Sequence, residues 1–148
     1  MDNKTIMNQA ESYLADVSEK TVYVENQPNR IDVYIAPQNV KQAVKALFDH
    51  SWGYLITITA YDTTDENGDP QIGVIYHFGE QNVICAIRLF LPHSNRVIDT
   101  ICDIIPSATV YERECRELFG IDIVGTPDQS KLLLPDDWPD GVYPMLKS

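Results

Sequence analysis

WGYLITITAYDTTDENGDPQIGVIYHFGEQNVICAIRLFL, residues 52–91, decides the fold. Within it Tyr54, Ile56, Ile58 and Ala60 alternate with Thr57 and Thr59, and Ile72, Val74, Tyr76 and Phe78 alternate with Gln71 and His77. Val83, Cys85, Ile87 and Leu89 then alternate with Arg88. Successive side chains of a strand point to opposite faces, so a period of two predicts strands with one apolar face. Polar turns at Asp65 to Pro70 and Gly79 to Asn82 divide the run into three strands.

Upstream the period changes. Ile6, Ala10, Tyr13, Leu14 and Val17 recur at helical spacing and leave Asn8, Glu11 and Asp16 outside. Two short alternating runs follow, Thr21 to Glu25 and Arg30 to Ala36, joined by the turn-forming Asn26-Gln27-Pro28-Asn29. Pro37 suits the first position of a helix, where its missing N–H costs nothing. Val40, Ala43, Val44, Leu47 and Phe48 form the buried stripe of that second helix. The order α-β-β-α-β-β-β predicts an α+β two-layer sandwich, with helices on one face of a mixed, mostly antiparallel five-stranded sheet. No internal repeat or low-complexity segment interrupts it.

Beyond Pro92 the pattern predicts a short helix over Asn95 to Ile104, then a second over the Glu-Arg-Glu stretch. Thr109 stands three residues before Glu112, the spacing of a capping box. Tyr111, Cys115, Leu118 and Phe119 follow at helical spacing, and Gly120 is placed to end the helix. After Gly120 regular patterning is lost. Leu132-Leu133-Leu134, Trp138, Val142, Tyr143 and Met145 lie among Pro127, Pro135, Pro139 and Pro144, a density that forbids helix and interior strand alike. So apolar an extended tail must bury itself over its own domain or in a groove on a partner. The chain therefore divides into a globular α+β domain, residues 1–107, and a helix with an extended docking tail, residues 108–148.

Composition narrows the function. The 148 residues suffice for one domain with a hydrophobic core. A net charge of −11 repels phosphate backbones and anionic lipid surfaces, which argues against nucleic acid and against direct membrane attachment. The most apolar run, Val83 to Leu91, is short and carries Arg88, far from a membrane span. Met1-Asp2-Asn3-Lys4 lacks the layout of a signal peptide, so the cytoplasm is the expected location. Cys85, Cys102 and Cys115 form no C-x-x-C pair and read as small buried apolar residues.

The motifs support no evident catalytic centre. Glu112-Arg113-Glu114-Cys115-Arg116-Glu117 is the densest charged cluster; on a helix Glu112 with Arg116 and Arg113 with Glu117 fall four apart. Such a cluster is either a solvated, salt-bridged face or an interface, since arginine makes bidentate contacts to carboxylates and carbonyls. Asp65-Glu66-Asn67-Gly68-Asp69 has the spacing of a calcium loop, but Pro70 stands where glycine is required and Tyr76 where the bidentate glutamate belongs. His50, His77 and His93 lack metal-ligand spacing. Nucleotide-binding and acyl-transfer motifs are absent from the sequence.

The Glu-Arg-Glu helix and the tail together resemble one family, the C or 30-kDa-type subunit of proton-pumping NADH:quinone oxidoreductase, with its relatives in membrane-bound energy-converting [NiFe] hydrogenases. The signature begins Glu-Arg-Glu and runs to an acidic residue, then apolar-apolar-Gly-Ile; here these are Glu112-Arg113-Glu114 and Glu117-Leu118-Phe119-Gly120-Ile121. Gly125-Thr126-Pro127-Asp128 and Lys131-Leu132-Leu133 follow in register, and Tyr143-Pro144-Met145-Leu146-Lys147 is similar to the family's close. Thr126 replaces the signature histidine, Ser130 the first basic residue, and Met145-Leu146 a Leu-Arg pair. These departures point toward a divergent branch, such as a hydrogenase or a ferredoxin- or quinone-linked relative.

The resemblance implies a non-catalytic peripheral-arm subunit with no cofactor, metal or active site of its own. It would pack beside a large subunit of quinone-site or nickel–iron type and near iron–sulfur subunits, held to the inner face of the membrane only through them. It assigns partner contact to Glu112, Arg113, Glu114, Glu117, Pro127, Asp128, Lys131, Trp138, Tyr143 and Pro144. Two rivals stand beside it: a small-metabolite-binding domain using a sheet face of Thr57, Thr59, Tyr61 and His77, and a hydrolase using Glu112 and Glu117.

Overall fold

Residues 2–127, 132–135, 137–139 and 141–146 are described by a computed structural model. Helix α1 (Asn3–Tyr13) starts at Asp2, whose carboxylate accepts the Thr5 N–H at 2.8 Å and so fills one of the orphan donors of a helix start. Strands β1 (Ser18–Tyr23) and β2 (Arg30–Ile35) form the expected hairpin. Pro37–Asn39 makes a 3-10 turn that leads into α2 (Val40–Asp49). Strands β3 (Tyr54–Thr64), β4 (Pro70–Glu80) and β5 (Val83–Pro92) follow as an antiparallel meander. The sheet order is β1-β2-β5-β4-β3, with β2 and β5 its one parallel pair. This is the α+β fold with a five-stranded mixed sheet that the alternation predicts.

One sheet face is dry. Ile31, Val33, Val74, Tyr76, Phe78, Cys85, Ile87 and Leu89 meet Ile6 and Ala10 of α1 and Val40, Ala43, Val44 and Leu47 of α2. Removing the Val, Leu, Ile and Phe side chains among them from water stabilises the fold by about 1.5–3 kcal/mol each. The buried Trp52 indole donates to the Ile6 carbonyl at 3.1 Å and ties the start of α1 to the link between α2 and β3. Helix α3 (Thr109–Phe119) joins the same core through Cys115 and Phe119.

Three local expectations need correction. The segment Asn95 to Ile104 is not a helix: Val97–Asp99 is a strand, β6, which pairs in parallel with β7 (Asp122–Val124) in a stretch without legible periodicity. Ile98 and Ile123 face each other in that pair and both are buried. The apolar spacing of Val97, Ile98, Ile101 and Ile104 imitates a helix, and a three-residue strand is too short to show a period of two. The capping box also fails. Thr109 is already helical, following a 3-10 turn over Pro106–Ala108, and no side chain caps α3. Glu112 turns inward instead.

The third correction concerns β3. Its register shifts between Leu55 and Thr57, so Leu55 faces Phe78 while Ile58 faces Tyr76. The extra residue Ile56 reverses the alternation, and Tyr54 lands opposite Gly79 as a largely exposed side chain. The acidic loop is a hairpin turn in which the Asp65 carboxylate accepts the Asn67 and Asp69 N–H groups, both at 2.9 Å.

Candidate docking interface

Helix α3 uses its two outer glutamates internally. Glu112, 2% exposed, accepts the Thr100 hydroxyl at 2.6 Å and the Cys102 thiol at 2.9 Å on one oxygen, and the Ile101 N–H at 2.9 Å on the other. The Thr100 hydroxyl oxygen in turn accepts the Cys102 N–H at 3.0 Å. One carboxylate thus fixes the 100–102 turn that leaves β6, and these donors supply the partners that a buried carboxylate requires. Burial pushes the Cys102 thiol up to about 11, with the Glu112 hydrogen bond adding to it. The Tyr76 hydroxyl is held well above its ordinary range by burial and then by Glu112 and Cys115.

Glu117, also buried, reaches the tail. Its carboxylate accepts the Leu132 N–H and, at 2.6 Å, the Leu133 N–H. At the other end of the tail the Met145 N–H donates to the Leu118 carbonyl at 2.8 Å, and Leu146 packs against the core. Gly120, in the left-handed region at φ 69°, ends α3, and the Tyr143 ring lies against it so closely that a Cβ there would sit 2.5 Å away. Arg96 stacks over the Tyr143 ring at 5.8 Å, while its Nε donates to the Gly120 carbonyl at 3.1 Å. That places a cation at the negative end of α3.

The tail therefore leaves and returns to the same helix end. Between the anchors, the Trp138 indole donates to the Val142 carbonyl at 2.8 Å. Leu133, Val142 and Met145 remain about half exposed at 55%, 48% and 53%. Of the residues assigned to partner contact, Glu112 and Glu117 are buried, Arg113, Glu114, Trp138 and Tyr143 are half-buried, and Pro127 and Pro144 are exposed. Asp128 and Lys131 lie outside the described residues, as do Ser130 and Lys147 of the signature. Thr100, Cys102 and Arg96 belong to this site and carry no motif of their own. A polar residue inside an apolar run, as at Thr100 before Ile101, is the one sequence signal that could have drawn attention to them.

The rival sites look different. Thr59 and His77 bond each other at 3.0 Å across the open sheet face, and the Tyr61 ring lies over Gly73. Glu112 and Glu117 are committed to the hydrogen bonds above, which removes the carboxylate pair a hydrolase would use. All three cysteines are buried and free. Among the described residues no cluster of His, Cys, Asp and Glu could hold a metal ion. No helix among them is long and apolar enough to cross a membrane.

A family model described as respiratory-chain NADH dehydrogenase, 30 Kd subunit, matches residues 33–148. The membrane-bound hydrogenase subunit beta of Pyrococcus furiosus is 33% identical over 118 residues, which cover 78% of this chain and 68% of that protein. The C subunit of an NADH-quinone oxidoreductase from Roseiflexus sp. is 24% identical over 144 residues, or 93% of this chain and 79% of the relative. Against hydrogenase-4 component G of Escherichia coli, 27% identical over 123 residues, the match covers 81% of this chain but only 22% of the larger protein. A chain of the membrane-bound sulfane sulfur reductase, an archaeal respiratory membrane complex, superposes with TM-score 0.73 at 20% identity, covering 95% of this chain and 81% of that one. The trypsin-resistant fragment of Nqo5 gives 0.67 at 19% identity, covering 86% and 99%. At these identities the two structures establish the shared fold.

Proposed function

Because the chain belongs to the respiratory-chain NADH dehydrogenase 30-kDa subunit family, we propose that it is a non-catalytic structural subunit of a peripheral arm. Membership makes it a subunit of a complex-I-like or hydrogenase-type respiratory assembly. The finer reading is that it docks on the large subunit of an NADH:quinone oxidoreductase-like or energy-converting hydrogenase complex, beside iron–sulfur subunits. Its attachment to the inner face of the membrane is then indirect, and it supports electron transfer by holding its neighbours in place.

The observation that carries this reading is the tail pinned at both ends to α3, which holds Leu133, Val142 and Met145 in water. An isolated globule gains nothing from ordering a segment whose apolar side chains stay wet. A partner that covers them gains apolar burial, and little ordering entropy is left to oppose it. On this reading Arg113, Glu114, Pro127, Trp138, Tyr143 and Pro144 contact the partner, while the buried Glu112 and Glu117 act by fixing α3 and the tail. Asp128 and Lys131 remain assigned to partner contact by the family signature.

The test uses Val142→Asp with Met145→Asp in the tagged full chain, expressed in its native host. Both side chains are half exposed, so the urea midpoint of the isolated chain should hold. Co-purification of the large and iron–sulfur subunits should fall at least ten-fold. Unchanged recovery of those subunits would refute docking through the tail.

A further inference from the structure

The sheet face turned away from the helices carries charge of the opposite sign to the molecule. Register places Lys20, Arg30, Asp32 and Arg88 on that face. The Asp32 carboxylate bridges the two arginines, with Arg30 Nε at 3.0 Å from one oxygen and Arg88 Nε at 3.1 Å from the other. Cations outnumber anions here, three side chains to one, in a chain of net charge −11. His77, on the same face, has its pKa lowered by burial and further by Arg30 and Arg88.

The geometry of the bridge matters more than the count. The Arg30 Nε–H donates to Asp32, which fixes that guanidinium's plane, and Arg88 pairs with the other carboxylate oxygen by charge. The buried Arg88 Nε is within ion-pair range yet off the hydrogen-bond line, so that nitrogen lacks an acceptor. Arg88 Nη1 makes one long contact, 3.5 Å, with the Tyr61 hydroxyl; no acceptor among the described residues bonds the terminal nitrogens of Arg30. Two planar forks are therefore held side by side with donors left over, the arrangement that accepts a carboxylate bidentately. Around them Tyr34 stacks on Phe90 at 6.2 Å, and Lys20 Nζ stands 5.3 Å from the centre of the Tyr34 ring. Arginine and tyrosine with little else charged is the composition of an interface core.

We infer that this arginine-paired sheet face is a second docking surface, and that its occupant is an acidic segment of a partner protein which places Asp or Glu side chains against Arg30 and Arg88. Nucleic acid fits poorly, since the rest of the chain is more acidic still and repels a polyanion. A protein segment needs only a few carboxylates at the fork, and the flat aromatic surroundings cover its apolar atoms. The inference goes beyond tail docking and does not depend on it.

Lys20 makes the surface testable in the intact complex. A carbodiimide joins an amine to a carboxylate with no spacer, so a cross-link reports direct contact. In complex isolated through a tag on this chain, Lys20 should couple to Asp or Glu of a partner protein. Coupling only within the chain, to a second copy of it, or to nothing would overturn the proposal. In parallel, Arg30→Gln with Asp32→Asn and Arg88→Gln removes the cluster without stranding a charge, and should lower partner retention in moderate salt at least ten-fold. If that variant folds poorly, the exposed Lys20→Glu should still lower retention, several-fold, and full retention by it refutes the proposal. Loss with the tail variant alone, and Lys20 uncoupled, defeats this inference and leaves tail docking standing. The reverse pattern defeats tail docking and leaves this one.

Discussion

Glu112 sits among donors that have no water to turn to: the Thr100 hydroxyl, the Cys102 thiol and the Ile101 N–H. Each would be left unsatisfied if the carboxylate were lost. Glu112→Gln keeps the shape but offers a single acceptor oxygen and turns an NH2 toward a donor. It should cost about 1.5–3 kcal/mol in urea unfolding, the range for hydrogen bonds to a charged group. Glu114→Gln on the same helix, half-buried, should change stability by less than about 0.5 kcal/mol. Equal effects at the two positions would mean that the buried network contributes nothing particular. The sequence shows Glu112 and Glu114 as equivalent members of one charged cluster. What separates them is the position of the 100–102 turn, which depends on the β6–β7 pairing and so on contacts distant in sequence.

Helix α3 and the tail form one element in practice, since Glu117 holds the tail's entry, Leu118 its exit and Gly120 the seat of Tyr143. Gly120→Ala meets two costs. An L-residue in the left-handed region loses about 1–2 kcal/mol, and the new methyl collides with the Tyr143 ring. Gly141→Ala meets only the first, because its φ is 78° but nothing lies near its Cβ. The expected result is faster chymotrypsin cleavage at Leu132–Leu134 in Gly120→Ala than in Gly141→Ala, with the 2–127 core intact in both. Indistinguishable cleavage would show that Tyr143 does not seat the tail. Elements of this kind mark where sequence reading runs out. Strands of ten or eleven residues announce themselves through alternation, and Gly120 through its place after Phe119. The bulge at Ile56 and the three-residue strands β6 and β7 leave no periodic trace, and proline spacing says only what the tail cannot be. The arginine fork is half visible: Arg30, Asp32 and Arg88 are charges inside otherwise apolar strands, but their convergence needs the parallel β2–β5 pairing.

At the scale of the whole molecule, the shared core makes distant groups titrate to a common effect. Burial pushes the Cys85 thiol in β5 up to about 12, the Cys115 thiol in α3 to about 12, and Cys102 to about 11. Tyr76 in β4 is raised well above its usual range, also chiefly by burial. For each group the folded state keeps a proton that the unfolded chain releases near its ordinary pKa, about 8.5–9 for a thiol. Stability tied to these groups is thus fully present below that pH and is lost as the pH rises toward the folded values. Each thiol contributes a slope of about 1.4 kcal/mol per pH unit once the unfolded chain is ionised. Cys85 and Cys115 together should give about 3 kcal/mol per unit, and Cys102 should add over a narrower window. Urea midpoints should therefore stay level from pH 7 to about 8.5 and fall steeply from about pH 9.5. Cys85→Ala should blunt the slope by roughly a third while lowering stability at pH 7 through lost packing. A midpoint still level at about pH 10.5 would mean that the thiols are open to solvent, and that the sheet, the helices and α3 do not enclose one continuous core.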